Sequence, residues 1–296
     1  MELRHLRYFI AVAEELHFGR AASRLSIAQP SLSQQIRELE EELGALLLER
    51  TKRSVALTDA GKVFLEAAQN VLVQVQEAKR AAQRANRGEV GQLVIGYISS
   101  STYDLLPSML RLYRERYPLV EVALREQTTQ EQIRALEEGH IQVGLIRLPI
   151  STPMVHVEVV RREPIVCVLP EEHPLAAREQ IAVSLLAHEP FVLQSRQRGT
   201  GYHTQLMKLC LSSGFTPNII QEVTEMHAIV GLVAAGIGVS LVPLSTRNIR
   251  SQGVVYRKLE GVEIVTEMAV AWQRDTHSTV VQNFLTVAKE IFTHLL

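Results

Sequence analysis

"FGRAASRLSIAQPSLSQQIRELEEELG", residues 18–44, is the stretch on which the reading of the fold turns. Ala21, Ala22 and Leu25 are small or flexible enough for a second helix to cross the first closely. "SIAQ" supplies a short turn, and Pro30 suits a first helical turn because its missing N–H would be unpaired there anyway. Behind it Leu32, Ile36, Leu39 and Leu43 recur at three- and four-residue steps and should face inward. Ser31, Ser33, Gln34, Arg37 and Glu38 are left outward, most of them short hydrogen-bonding side chains near a helix N-terminus. Upstream, "ELRHLRYFIAVAEELH" carries Leu3, Leu6, Phe9, Ile10, Ala13 and Leu16 on one helical stripe.

A helix opening on Gln29, Pro30, Ser31, Ser33 and Gln34 is suited to a DNA major groove. Gln bonds adenine, Ser reaches a base edge or a phosphate, and Arg37 reaches phosphate or guanine. A solvated helix face is the plainer reading of the same residues, and the flanking sequence decides against it. After the helix, "ALLLERTKRSVALT" alternates as two short strands around "TKRS", which crowds Arg50, Lys52 and Arg53 at a hairpin tip where they could hold a DNA backbone. Three helices followed by such a hairpin form a winged helix-turn-helix.

Thr58 or Asp59 then caps "TDAGKVFLEAAQNVLVQVQEAKRAAQRANRG", a helix expected to stop at Gly88. Phe64, Ala68, Val71, Val75, Ala78, Ala82 and Ala85 follow steps of four and three, the pattern of a coiled-coil seam. A lone helix would expose that stripe, so a second copy of the chain is the expected partner through Phe64, Ala68, Val71, Val75 and Ala78, with packing of the helix on its own domain as the alternative.

Residues 3–65 closely resemble the DNA-binding region of LysR-type transcriptional regulators nearly throughout. One departure is Ala28, where that family usually has Ser or Thr before Gln-Pro, so a capping or phosphate-binding hydroxyl is missing. Within the family, the opening and "GYISSSTYDLLP", residues 96–107, are most similar to the branch containing regulators of acetoin synthesis and of aromatic-acid degradation.

Beyond residue 90, short β-rich runs alternate with helical ones, as in an α/β domain with mainly parallel strands. "GQLVIGYIS", "VEVALRE" and "IQVGLIR" read as strands, with "STYDLLPSMLRLYRERYP" and "TTQEQIRALEEG" as the helices between them. Open parallel sheets bind ligands at the carboxyl ends of their strands. Ser99 and Ser100 lie at such an end, before a helix whose free N–H groups favour a carboxylate. Thr128 and Thr129 open the next helix in the same way, and Arg147 follows the strand "VGLI" as a candidate for a charge-assisted bond. The resemblance implies a two-lobed domain like periplasmic binding proteins, with an effector between the lobes. It places Ser99, Ser100, Thr128, Arg147 and the "RGTGY" loop, including Gly199, Thr200, Gly201 and Tyr202, around that cleft.

The expected fold is therefore α/β with an all-α-plus-wing head. Residues 1–57 form a winged helix-turn-helix, 58–88 a linker and dimerisation helix, and 89–296 a periplasmic-binding-protein-like α/β effector domain. Its first lobe is 89–163 with 268–296, and its second is 164–267. The expected partners are double-stranded promoter DNA, a small carboxylate-like effector, RNA polymerase and the chain itself, as a homodimer that the family usually doubles to a homotetramer. Activation is the expected sign of control, with an effector-independent repressor or DNA binder of the same fold as the alternative.

Composition is compatible with this. The 296 residues are 46% apolar and 21% charged, with net charge -1, ordinary for a chain of more than one globular domain. The first 88 residues hold 13 Lys and Arg against 11 Asp and Glu, and the remainder 18 against 21, a weak asymmetry that permits a nucleic-acid-binding head. No run reaches the roughly 20 apolar residues of a membrane span, and the N-terminus has no signal-peptide pattern, so a cytoplasmic protein without membrane partners is expected. No GxSxG, GxGxxG, HExxH or P-loop occurs, and "GIGVS" is too short for a dinucleotide loop. His173, His188, His203 and His227 lack the i, i+4 spacing of metal ligands. Cys167 and Cys210 have no CxxC partner and read as reduced structural thiols. Neither cofactor, metal nor catalytic residue is expected; an enzyme and a plain solute-binding protein are the distant alternatives.

Overall fold

The computed structural model describes residues 1–51, 54–150, 152–196, 200–249 and 252–293. The chain divides into two compact units, Met1–Arg84 and Ala85–Leu296.

The first unit contains α1 (Leu3–Glu15), α2 (Phe18–Leu25), α3 (Gln29–Leu43), β1 (Leu48–Arg50), β2 (Val55–Leu57) and most of α4 (Asp59–Asn86). Its core gathers Phe9, Val12, Ala21, Leu32, Ile36 and Leu39. Small Ala21 and Ala22 lie among them, as close helix crossing requires. Leu3, Leu16 and Leu43, expected inward, are exposed. They sit at helix ends, where the stripe has run past its neighbours; Leu16 is the left-handed C-cap of α1. α3 opens on Gln29 with Pro30 in its first turn, and its N-cap Ala28 makes no side-chain capping bond.

β1 and β2 pair antiparallel, Leu48 with Leu57 and Arg50 with Val55. Their base is fixed by Glu40, whose position four residues after Ile36 carries its carboxylate into the buried face of α3. It is only 6% exposed. One oxygen accepts the backbone N–H groups of Leu47 (2.9 Å) and Leu48 (3.0 Å), and the other accepts Arg50 Nη2 at 2.6 Å. A buried carboxylate is tolerated only when so matched. Past the hairpin, the Thr58 hydroxyl accepts Gly61 N–H at 2.8 Å and donates to Leu46 O at 2.7 Å, fixing the start of α4. A Cβ on Gly61 would lie 2.0 Å from Leu47 O, so only glycine lets the helix approach there.

The second unit runs β3 (Val90–Tyr97), α5 (Leu105–Arg116), β4 (Leu119–Glu126), α6 (Thr129–Glu137), β5 (Val143–Arg147), β6 (Val155–Pro170), β7 (Gln180–Ile181), β8 (Pro190–Gln194), α7 (Thr200–Ser212), β9 (Asn218–Val223), α8 (Met226–Ala234), β10 (Ser240–Pro243), β11 (Val254–Leu259), β12 (Val265–Gln273) and α9 (Thr279–Thr293). It holds two main cores. One contains Leu93, Ile95, Met109, Tyr113, Val270 and Phe284; the other contains Cys167, Phe191, Leu206, Ile229 and Val242.

The sheet order is β4-β3-β5-β12-β6-β11-β7, with β10 also on β6. β3 is parallel to both β4 and β5, but β12 is antiparallel to β5 and β6, and β11 and β10 are antiparallel to β6. The expectation of mainly parallel strands thus gives way to a mixed sheet, because the strands connecting the two cores run against their neighbours. β6 is a single strand of 16 residues that pairs with β12 up to Pro164 and with β10 from Ile165 onward. The expected single helix after β3 is broken: Ser99–Tyr103 is a 3-10 segment, and α5 starts only after Asp104.

Two outcomes follow from these cores. Glu40→Ala would strand two buried N–H groups and Arg50, so it should destabilise the first unit by about 2 to 4 kcal/mol, with amide exchange at Leu47 and Leu48 accelerating before the second unit is affected. Burial raises the thiol pKa of Cys167 to about 12 and of Cys210 to about 11. Because burial disfavours the thiolate, which is the nucleophile, both should react very slowly with a disulfide reagent at pH 8. Denaturant should restore ordinary labelling rates.

Candidate functional site

α3 presents Gln29, Pro30, Ser31, Gln34 and Arg37 to solvent, with Ser33 half-buried beside them. All six expected positions therefore share the opening turns of one helix, and Arg37 makes no ion pair among the described residues. The basic hairpin is different from expectation. Arg50 is not a free cation: it is held by Glu40 and lies 5.0 Å over the Phe18 ring. Its charge neutralises a buried carboxylate, so in this structure Arg50 sets the hairpin against α3. Lys52 and Arg53 lie outside the described residues.

On α4 the expected seam splits. Phe64 packs edge-on to Phe9 at 5.2 Å, joining the first unit's own core, and Ala68 is buried within the single chain. Val71 remains 44% exposed, Val75 is half-buried and Ala78 is exposed. Only this later part of the stripe is left uncovered.

In the second unit a cavity of about 1010 Å³ opens between the two cores. From the side of β3, β5 and α6 it is lined by Ser99, Ser100, Thr128, Thr129 and Arg147; from the side of α7 and α8, by Gly201, Tyr202, Gln205, Lys208 and Met226. Seven of the nine expected ligand residues thus converge. Thr200 opens α7 one position before Gly201, and Gly199 lies outside the described residues.

The floor of the cavity is a buried charge system. Arg147 ends β5 and is 9% exposed. Its Nη1 donates to Thr266 Oγ1 at 2.8 Å and stands 3.7 Å from Glu163 Oε1, while Nη2 donates to Ser100 Oγ at 3.1 Å. The Tyr202 ring faces its guanidinium at 5.7 Å, and the Tyr202 hydroxyl donates to Leu241 O at 2.9 Å. Desolvation lowers the pKa of Arg147 from the ordinary arginine value, against the opposing pull of Glu163; a guanidinium nevertheless remains charged in a protein. Arg147 is therefore less a free arm than expected, because two of its donors already hold Ser100 and Thr266.

Thr128 caps α6: its hydroxyl accepts Glu131 N–H at 3.3 Å, and the Glu131 carboxylate accepts Thr128 N–H at 2.7 Å. Thr129 Oγ1 accepts the backbone N–H of Arg147 at 3.2 Å, which ties the helix start to the strand end. Ser99 Oγ donates to the Glu225 carboxylate across the cleft, and Asp104 accepts both Arg161 Nη1 (2.6 Å) and Asn248 Nδ2 (3.2 Å). Glu163, Thr266 and Glu225 were missed by the sequence reading. They lie far from their partners along the chain, with no local spacing to mark them. The arrangement can receive an anionic or hydroxyl-bearing small molecule through serine and threonine hydroxyls and the amides of α6. Among the described residues there is no cluster able to hold a metal ion, and no helix is long and apolar enough to cross a membrane.

Residues 3–62 match the family described as "Bacterial regulatory helix-turn-helix protein, lysR family", and residues 86–293 match "LysR substrate binding domain". The HTH-type transcriptional regulator AlsR of Bacillus subtilis is 42% identical over 288 residues, covering 97% of this chain and 95% of AlsR. The Hca operon transcriptional activator HcaR of Escherichia coli is 37% identical over 98% of both chains. Full-length CbnR, solved in complex with its target DNA, superposes with a TM-score of 0.85 at 28% identity, over 99% of this chain and 100% of CbnR. The helix-turn-helix with its hairpin, the hydroxyl-lined cavity and these likenesses lead to one conclusion: the chain belongs to the LysR family of DNA-binding transcriptional regulators.

Proposed function

We propose that this regulator is a cytoplasmic, non-enzymatic activator that binds promoter DNA as a dimer or tetramer and is switched by a small carboxylate. The observation that carries the reading is the cavity itself, where hydroxyls at a strand end and a helix start face the same space as a buried guanidinium. Residues 1–57 bind DNA through Gln29, Pro30, Ser31, Ser33, Gln34 and Arg37, with Lys52 and Arg53 on the backbone. Residues 58–88 join two copies through Val71, Val75 and Ala78. Residues 89–296 sense the effector, with 89–163 and 268–296 as one lobe and 164–267 as the other. HcaR, a relative at 37% identity, is named an activator, which supports that sign of control and contact with RNA polymerase. A built cavity disfavours the effector-independent repressor.

A ligand redirects a protein only by binding one arrangement better than another. A carboxylate entering beside Ser99 competes with Glu225, whose own carboxylate holds that hydroxyl. Binding therefore exchanges a bond between the lobes for a bond to the ligand, and this exchange is the proposed coupling between occupancy and lobe arrangement.

Calorimetry with a panel of small mono- and dicarboxylates should find a binder, and Thr128→Ala should weaken it by about 0.5 to 1.5 kcal/mol with operator affinity nearly unchanged. Unchanged effector affinity in both Thr128→Ala and Ser100→Ala would place the ligand elsewhere. Val71→Asp should bury two unpaired charges in the seam and shift the chain towards monomer in light scattering at micromolar concentration. A variant that stays as associated as the parent would remove Val71 from the interface.

A further inference from the structure

We propose that Glu38 is a specificity-determining residue of the DNA-reading helix, holding the Gln34 amide in the orientation that suits adenine and opposes guanine. This deepens the reading of α3 as the base-contacting helix and rests on it.

Gln34, Gln35 and Glu38 are three and four residues apart and so meet on one stretch of the α3 surface. Gln34 Nε2 donates to Glu38 Oε1 at 3.0 Å, and Gln35 Nε2 donates to Glu38 Oε2 at 2.7 Å. An ionised carboxylate only accepts hydrogen bonds, so each glutamine must turn its NH2 towards Glu38 and its oxygen away. The choice between amide oxygen and nitrogen is thereby made by chemistry.

The far end of the network fixes the same polarity. The backbone N–H of Glu2 donates to His5 Nδ1 at 3.2 Å, so the ring proton is on Nε2. That nitrogen lies 3.1 Å from Gln35 Oε1 and donates to it. His5 is buried and Gln35 half-buried. Reversing the Gln35 amide would set an N–H against the His5 N–H and an oxygen against the Glu38 carboxylate. Gln35 is therefore locked, Glu38 is anchored by it, and Gln34 is the exposed end of a directed chain.

With one N–H engaged, Gln34 can offer a base its oxygen and its remaining N–H. Adenine displays a donor at N6 beside an acceptor at N7 and matches that pair. Guanine displays two acceptors, N7 and O6, and would need both N–H groups. A glutamine free to rotate could turn its NH2 outward to guanine; Gln34 can do so only by giving up Glu38. The charge on Glu38 also repels the nearby phosphates of any duplex, an effect that weakens binding without regard to sequence.

The test uses the full chain, a pool of randomised duplexes for selection at one fixed salt concentration, and titrations of the selected duplex and its single-base variants. The parent protein should prefer adenine over guanine at the pair read by Gln34. Glu38→Ala should reduce that preference about fivefold or more, a lower-end loss for one base contact, while raising affinity for all duplexes by a common factor. In a Gln34→Ala background, adding Glu38→Ala should leave the adenine-to-guanine ratio unchanged and produce only the common factor. If Glu38→Ala alone changes all duplexes equally while Gln34→Ala alters base preference, the orienting role is overturned and the helix reading stands. If Gln34→Ala alters no base preference, both fall.

Discussion

The second unit depends on holding one largely buried charge at the floor of its cavity. Moving a guanidinium into an apolar interior costs several kcal/mol, a large share of a domain's net stability, unless the charge is matched. Arg147 is matched from several elements at once: Ser100 after β3, Glu163 in β6, Thr266 in β12 and the ring of Tyr202 in α7. These elements cannot drift apart without breaking the hydrogen bonds and the ion pair that match the charge. The same residues floor the cavity, so the group that holds the lobes together is also the group a ligand would perturb. Glu163 adds to this coupling, because its second carboxylate oxygen accepts the buried N–H of Ser245 at 2.7 Å.

The head solves a smaller version of that problem. Glu40 is buried beneath the hairpin, and its partners are two backbone amides and Arg50. A hairpin of two three-residue strands has too little apolar surface to fix its own attitude. Here a carboxylate on α3 supplies the reference, so the base of the hairpin at Leu47, Leu48 and Arg50 is held against the helix whose outer face carries Gln29 to Arg37. Arg50 contributes through this alignment.

Much of this organisation was legible in the sequence, wherever a local rule sufficed. The helix-turn-helix followed from Pro30, the small Ala21 and Ala22, and the stripe from Leu32 to Leu39. Strand ends and helix starts identified Ser99, Ser100, Thr128 and Thr129 because capping chemistry depends on near neighbours. What could not be read was pairing across the chain. Ser99 meets Glu225 at a separation of 126 residues, and Arg147 meets Thr266 at 119; no periodicity records such meetings. Position also misled where one residue type serves two purposes. Arg50 looked like a phosphate contact because it sits beside Lys52 and Arg53, and Phe64 looked like a seam residue because it falls on the stripe of α4. In each case the structure adds an intrachain partner, Glu40 or Phe9, that local position does not record. Glu40 itself left a trace, as a charge on the inward face four residues after Ile36.

β6 and β12 have a mechanical consequence. They lie side by side, antiparallel, from Val155 opposite Gln273 to Pro164 opposite Val265, with the register slipping between Met268 and Ala269. Hydrogen-bonded strands resist sliding, because moving one along the other would break the ladder between them, and this pair is braced on its flanks, β12 by β5 and β6 by β10 and β11. The register slip between Met268 and Ala269 interrupts that ladder within the span of β12 that β5 also covers. The bonds that cross the cleft, from Ser99 to Glu225 and from Asp104 to Asn248, lie off this pair. A ligand that took over one of those bonds would therefore act between the lobes without breaking the ladder that joins them.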